Sequence, residues 1–245
     1  MAARATIVLL HGFTQTGRSW DPVVAASAER YRALAPDLRG HGSASARRPV
    51  GFAAIEADVL ALAPPRFALA GYSMGGRIAL DLALSRGADG APAQERIERL
   101  VLIGASPGLA DRAERAARRA ADEALAQEIE RDGVEPFARR WAAQPLFAGQ
   151  PAAVAAAAHA ERLRSTPDGL AASLRGVGTG AMEPLWDRLG ELRVPVALIA
   201  GERDAKFRAI AERMAERIPQ AEVHVVAGAG HAAQLERPDA VAALL

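Results

Sequence analysis

The chain has 245 residues, half of them hydrophobic and a quarter charged, with a net charge of +1. That length buries one full core with room for an insertion, and the near-neutral balance gives no footing for wholesale nucleic-acid binding. There is no cysteine, which excludes disulfides and thiolate catalysis.

The cations are almost all arginine, with Lys206 the single lysine, in keeping with a coding bias that also fills the chain with alanine. Residues 1–5 run straight into a strand, without the separate apolar stretch and cleavage site of a secretory signal. No apolar run approaches the roughly 20 residues of a membrane span. A cytoplasmic protein is expected, with neither membrane nor nucleic acid as partner; oligomeric state is not readable.

Six apolar runs read as strands, at 6–10, 31–35, 67–70, 100–104, 196–200 and 222–226. All but the last are continuously apolar, as suits parallel strands covered on both faces. Helical stretches at 21–29, 51–63, 76–85 and 205–217 separate most of them. The alternation predicts an α/β fold with a mostly parallel, doubly wound sheet. Right-handed crossovers then bring the loops that follow the strands to one edge.

The rhythm stops between about 107 and 192. Helical patterns at 113–130, 136–141, 152–164, 169–175 and 183–189 are cut by Pro145, Pro151, Pro167 and Pro184. This is too long for one crossover and predicts a helical lid. The expected division is a core of 1–106 and 193–245, with a lid of 107–192.

The third strand runs into Gly71-Tyr72-Ser73-Met74-Gly75, a Gly-x-Ser-x-Gly elbow between strand and helix. A serine hydroxyl needs an imidazole to act at neutral pH, and the imidazole needs an orienting carboxylate. In this arrangement the chain order is serine, acid, histidine. Asp204 follows the fifth strand in Gly201-Glu202-Arg203-Asp204, and His231 follows the sixth in Gly228-Ala229-Gly230-His231. Glu202 is the rival acid. His11 and His41 sit in glycine turns, His224 in a strand and His159 on a lid helix, so structural roles are expected for those four. The N–H groups of Met74 and Phe13 are the expected oxyanion donors. Arg77, one helical turn after Ser73, could reach the edge of the site.

Together these pieces resemble the α/β-hydrolase fold. A closer resemblance is carried by His11-Gly12-Phe13-Thr14, Gly71-Tyr72-Ser73-Met74-Gly75-Gly76-Arg77, Ser106-Pro107-Gly108-Leu109 and Trp141 with Pro145-Leu146-Phe147. Ser173-Leu174-Arg175-Gly176, Gly178-Thr179-Gly180 and Gly201-Glu202-Arg203-Asp204-Ala205-Lys206-Phe207 complete it. In that order, over nearly the whole chain, they resemble the 2-succinyl-6-hydroxy-2,4-cyclohexadiene-1-carboxylate synthase family, lyases of menaquinone biosynthesis. The resemblance implies elimination of pyruvate from a small anionic polycarboxylate, 2-succinyl-5-enolpyruvyl-6-hydroxy-3-cyclohexene-1-carboxylate. It implies no metal or organic cofactor. Ser73, His231 and Asp204 would serve as a base, and Tyr72, Arg77, Arg118, Trp141, Phe147 and Arg164 as substrate contacts. Arg115 and Arg119 are expected to be solvated.

Arg39 departs from the family's pattern, which often has proline there, and only a loop effect is expected. The chain enters its first long strand at once and stops soon after its last helix begins, so a reduced first edge and a short final helix are expected. The same triad could also serve a carboxylester or C–C bond hydrolase, or the fold could act as a small-ligand receptor.

Overall fold

In the computed structural model, residues 4–87 and 90–245 are described. Residues 1–3, on which part of the N-terminal reading rests, lie outside them. Six strands form one sheet: β1 (Ala5–Leu10), β2 (Tyr31–Leu34), β3 (Phe67–Tyr72), β4 (Ile97–Ile103), β5 (Val196–Gly201) and β6 (Ala221–Val226). Their order is β2-β1-β3-β4-β5-β6, and every pair is parallel. β3 runs two residues past its expected end, because Gly71 and Tyr72 still pair with Leu102 and Ile103 of β4.

β3 and β5 are buried along their whole length, whereas the edge strands β2 and β6 are only partly covered. Alternate strand residues feed two cores. Val8, Leu10, Leu69, Leu100 and Leu198 face one, with Ile55, Ile78 and Met214 from α2 (Phe52–Leu62), α3 (Met74–Leu84) and α8 (Ala205–Ala215). Ile7, Leu9, Ala70, Val101 and Ile199 face the other, closed by Val23 of α1 (Asp21–Ser27) and Val241 of α10 (Pro238–Ala243). The final helical stretch is split by Arg237 and Pro238 into α9 (Ala233–Glu236) and α10. Arg39 braces its loop with a two-pronged ion pair to Asp58, at 2.7 and 2.9 Å.

Between β4 and β5 the chain forms α4 (Arg112–Asp132), α5 (Val134–Ala142), α6 (Ala152–Arg162) and α7 (Pro167–Val177). The helix expected at 183–189 is instead a 3-10 turn at Trp186–Glu191, a short stretch held by Pro184 before it and Gly190 within it. This insertion has a small core of its own, built on Ala126, Ile129, Phe137, Leu170 and Leu174. It meets the sheet's loops through Phe13, whose ring lies 6.2 Å from Phe137 and 5.3 Å from Trp141. Among the described residues no helix is long and apolar enough to cross a membrane.

One buried carboxyl bears on stability. Glu56 of α2 is buried beside Asp81 and Ser85 of the α3 region, and burial first, then Asp81, pushes it up from 4.5 to about 8. The folded protein keeps a proton there that the unfolded chain releases above about pH 4.5. The contribution to stability is therefore full below the unfolded value and is lost as pH rises through about 8. Glu56→Gln keeps the shape and puts an N–H donor in place of the carboxyl O–H, without the titration. Its stability relative to wild type is expected to improve by about 1–3 kcal/mol between roughly pH 5 and pH 8.5 in urea unfolding. The same difference at both pH values would contradict this account.

Candidate active site

The sheet order reverses between β1 and β3: the chain leaves β1 outward to β2, then returns to β3 on the other side. Open α/β sheets bind ligands at such a switch point, beyond the strands' C-terminal ends. Phe13 follows β1 there and Ser73 follows β3.

Ser73 is the hinge between β3 and α3, with φ 50° and ψ −106°. A positive φ is unfavourable for a residue with a Cβ. It is held by Ser73 N–H donating to Ile103 O at 2.8 Å and by Arg77 N–H donating to Ser73 O at 3.0 Å. The flanking glycines are required by close approach. A Cβ on Gly71 would lie 2.3 Å from Gly75 O, and one on Gly75 would lie 2.1 Å from Leu10 O. The elbow therefore packs directly onto the end of β1, which sets Ser73 beside the Phe13 turn.

The loops after β5 and β6 deliver the other two groups. His231 Nδ1 lies 2.6 Å from Asp204 Oδ2, and Nε2 lies 3.3 Å from Ser73 Oγ. With Nδ1–H donated to the carboxylate, Nε2 is left to accept the serine hydroxyl. Asp204 also caps α8, its Oδ1 accepting Phe207 N–H at 3.3 Å. Both side chains are nearly buried, at 2% exposed for His231 and 5% for Asp204. Gly104 backs the imidazole: its φ is +55°, and a Cβ there would stand 2.9 Å from His231 Cε1. The Tyr72 and Phe207 rings flank His231 at 5.3 and 4.5 Å. Burial pushes the Tyr72 phenol well above its ordinary value, so it stays neutral.

Glu202 is occupied elsewhere, its carboxylate accepting Gly228 N–H at 2.8 Å. The other histidines are structural in placement. His11 bonds to Gly12 O and takes Leu38 N–H on Nε2 at 3.0 Å, while burial lowers it to about 4. His41, stacked edge-on to it, is lowered to about 3 by burial and by His11. His159 lies beside Glu135 and His224 beside Glu222.

A cavity of about 40 Å³ opens over Ser73. Phe13, Tyr72, Trp141 and Phe147 line it, with His231. The three arginines singled out in the sequence do not. Arg77 is buried in the other direction, with Nη1 donating to Val177 O of α7 at 2.8 Å, and burial lowers it to about 10. Arg118 pairs with Asp122 one turn on, at 2.7 Å, and is 43% exposed. Arg164 lies past the end of α6, 44% exposed, paired with Glu161 at 2.7 Å.

The arginine on the cavity wall is Arg162. It is 4% exposed, and its Nε and Nη1 have no hydrogen-bond partner. Its guanidinium sits 5.5 Å from the centre of the Phe147 ring, and burial lowers its pKa. Burying a cation without an anion is unfavourable, so the site presents unmet donors to a negative group. Sequence reasoning missed Arg162. The usable signal was its place one turn after Ala158, also buried, on the same face of α6. Gln15 was missed too. It lines the cavity and fixes the Phe13 turn, accepting Gly12 N–H on Oε1 at 3.3 Å.

Residues 7–244 match the alpha/beta hydrolase family. A protein of Salmonella schwarzengrund named 2-succinyl-6-hydroxy-2,4-cyclohexadiene-1-carboxylate synthase is 35% identical over 243 residues, covering 96% of this chain and 90% of the relative. The structure of MenH from S. aureus superposes with a TM-score of 0.91 at 32% identity, covering all of this chain and 92% of the other. A thermophilic esterase from Thermogutta terrifontis has the same fold, with a TM-score of 0.82 at 24% identity over 100% of this chain and 89% of the esterase. The chain therefore belongs to the 2-succinyl-6-hydroxy-2,4-cyclohexadiene-1-carboxylate synthase family within the α/β hydrolases.

Proposed function

We propose that this protein eliminates pyruvate from 2-succinyl-5-enolpyruvyl-6-hydroxy-3-cyclohexene-1-carboxylate in menaquinone biosynthesis, giving 2-succinyl-6-hydroxy-2,4-cyclohexadiene-1-carboxylate. The observation that carries the reading from fold to substrate class is Arg162, a buried cation with unmet donors beside the serine. A neutral ester has no use for it, whereas a substrate with several carboxylates does.

In this reading Asp204 holds His231 with its proton on Nδ1, and Nε2 draws the proton from Ser73 Oγ. The serine oxygen then removes the ring proton beside the succinyl ketone. The C–H electron pair forms the first new ring double bond, the old alkene pair shifts one bond along, and the C–O bond to the enolpyruvyl group breaks. Enolpyruvate leaves with that electron pair and becomes pyruvate on protonation at carbon. Charge develops on the ketone oxygen, where the N–H groups of Phe13 and Met74 would receive it. Met74 is the first residue of α3, so its N–H has no carbonyl one turn back to bond. Phe147, Trp141 and Tyr72 supply the apolar wall.

Residues 107–192 act as the lid and 1–106 with 193–245 as the core. The cavity's 40 Å³ holds only a few waters, and movement of the insertion would admit the substrate. The deciding experiment follows pyruvate release from the enolpyruvyl substrate, with p-nitrophenyl acetate in parallel. Turnover with pyruvate release and slow ester cleavage is expected. Rapid ester hydrolysis without pyruvate would assign the site to a hydrolase.

A further inference from the structure

Arg203 immediately precedes Asp204, yet its side chain turns away from the triad and ends between two other segments. Nη1 donates to Gly149 O at 2.7 Å, in the insertion just after Phe147. Nη2 donates to Glu236 Oε2 at 2.6 Å. The same carboxylate oxygen accepts Gly230 N–H at 2.8 Å, next to His231. The backbone of Arg203 joins in, its N–H donating to Ala229 O at 2.9 Å. Glu236 is 3% exposed and Arg203 40% exposed, so the guanidinium neutralises a buried carboxylate while reaching outward to the insertion.

Gly149 lies between Phe147 and Gln150, both on the cavity wall. The Phe147 ring stands 6.5 Å from His231 and also faces Arg162. One planar fork thus ties the loop that carries Asp204, the loop that carries His231 and the segment that closes the cavity. None of the chemistry above uses it.

We propose that Arg203 is a positioning residue that registers the 147–150 wall of the insertion against the His231 loop, so that seating the wall and placing the imidazole occur together. Its kinetic consequence rests on the triad reading of Ser73, Asp204 and His231; its structural consequence does not. Lysine keeps the charge beside Glu236 but is a single point, unable to span from that carboxylate to Gly149 O. Arg203→Lys therefore separates the two contacts, and Arg203→Ala removes both.

Hydrogen exchange over residues 146–150 reads the first contact. The amides of Phe147, Ala148 and Gln150 are bonded to the carbonyls of Gln144, Pro145 and Phe147, so their exchange reports opening of this turn. Both variants should exchange there about tenfold faster, the factor set by losing one hydrogen bond to a charged group. Arg175→Lys, on the far surface of the insertion, serves as the control and should leave that segment at the wild-type rate. Labelling of Ser73 by diethyl p-nitrophenyl phosphate reads the second contact without the lyase substrate. It should slow about tenfold in Arg203→Ala and less than threefold in Arg203→Lys. In pyruvate release, Arg203→Lys should raise KM about tenfold with kcat within a factor of three. Wild-type exchange over 146–150 in both Arg203 variants would overturn the proposal. Failure of wild-type Ser73 to be labelled would count against the triad reading instead, with exchange still deciding the role of Arg203.

Discussion

Ser73→Ala is expected to lower kcat for pyruvate release by about 10⁴–10⁶-fold while the chain folds as before. In the proposed reaction the serine oxygen takes the ring proton, and it lies 3.3 Å from His231 Nε2. Without it, the imidazole keeps no hydroxyl through which to act as a base. His231→Ala should cost a similar factor, and the double variant hardly more, since the two act as one base. Substrate affinity measured by calorimetry should stay within a few-fold, because Arg162 and the aromatic wall are untouched. If Ser73→Ala kept more than about a tenth of the activity, the serine would have no part in the reaction.

Arg162→Ala should produce the second large effect. The side chain is buried, two of its nitrogens have no protein partner, and its cation faces the same cavity as Ser73. Removing the partner of a buried carboxylate costs about 2–5 kcal/mol. That corresponds to a loss of roughly 30- to 5,000-fold in kcat/KM. Arg162→Lys should recover part of it, since charge is kept and the two-pronged geometry lost. Labelling of Ser73 by a neutral organophosphate should be unaffected by Arg162→Ala, which separates anion binding from triad chemistry. Arg164→Ala should stay within about twofold of wild type, as expected of an exposed pair. Equal losses at 162 and 164 would show that both reach substrate and would undo the assignment.

The meeting of Ser73, Asp204 and His231 was readable from the chain because each follows a strand with a strongly apolar run. Ser73 follows β3, Asp204 follows β5 and His231 follows β6, and parallel strands deliver their following loops to one edge. Asp204 and Glu202 could not be separated that way, since both lie on the same loop. The turn geometry separates them, giving Glu202 to Gly228 N–H and Asp204 to the imidazole. Tyr72, Trp141 and Phe147, expected as substrate contacts, and Phe13, expected for its N–H, all lie on the cavity wall.

The arginines were not readable. Arg162 and Arg164 are two residues apart, so they leave the end of α6 on different sides. Only the docking of α6 on the loops after β1 and β2 decides which one is inside. There Glu161 bonds to Thr16 and Ser165 to Gly42 N–H, and Arg162 is turned into the cavity. Arg77 was expected near the site from its turn of helix, yet its guanidinium ends on Val177 O, the last residue of α7.

Local regularities in the amino-acid string, the apolar runs and the glycines around one serine, were enough to determine the α/β architecture, the helical insertion and the order of serine, acid and base. They suffice because each is set by backbone geometry within a few neighbouring residues. The tertiary structure alone decided which cation is stripped of water beside the serine and which arginine clamps the insertion to the histidine loop. Burial and electrostatic pairing depend on segments 33 to 145 residues apart in the chain, and no local pattern records how those segments meet.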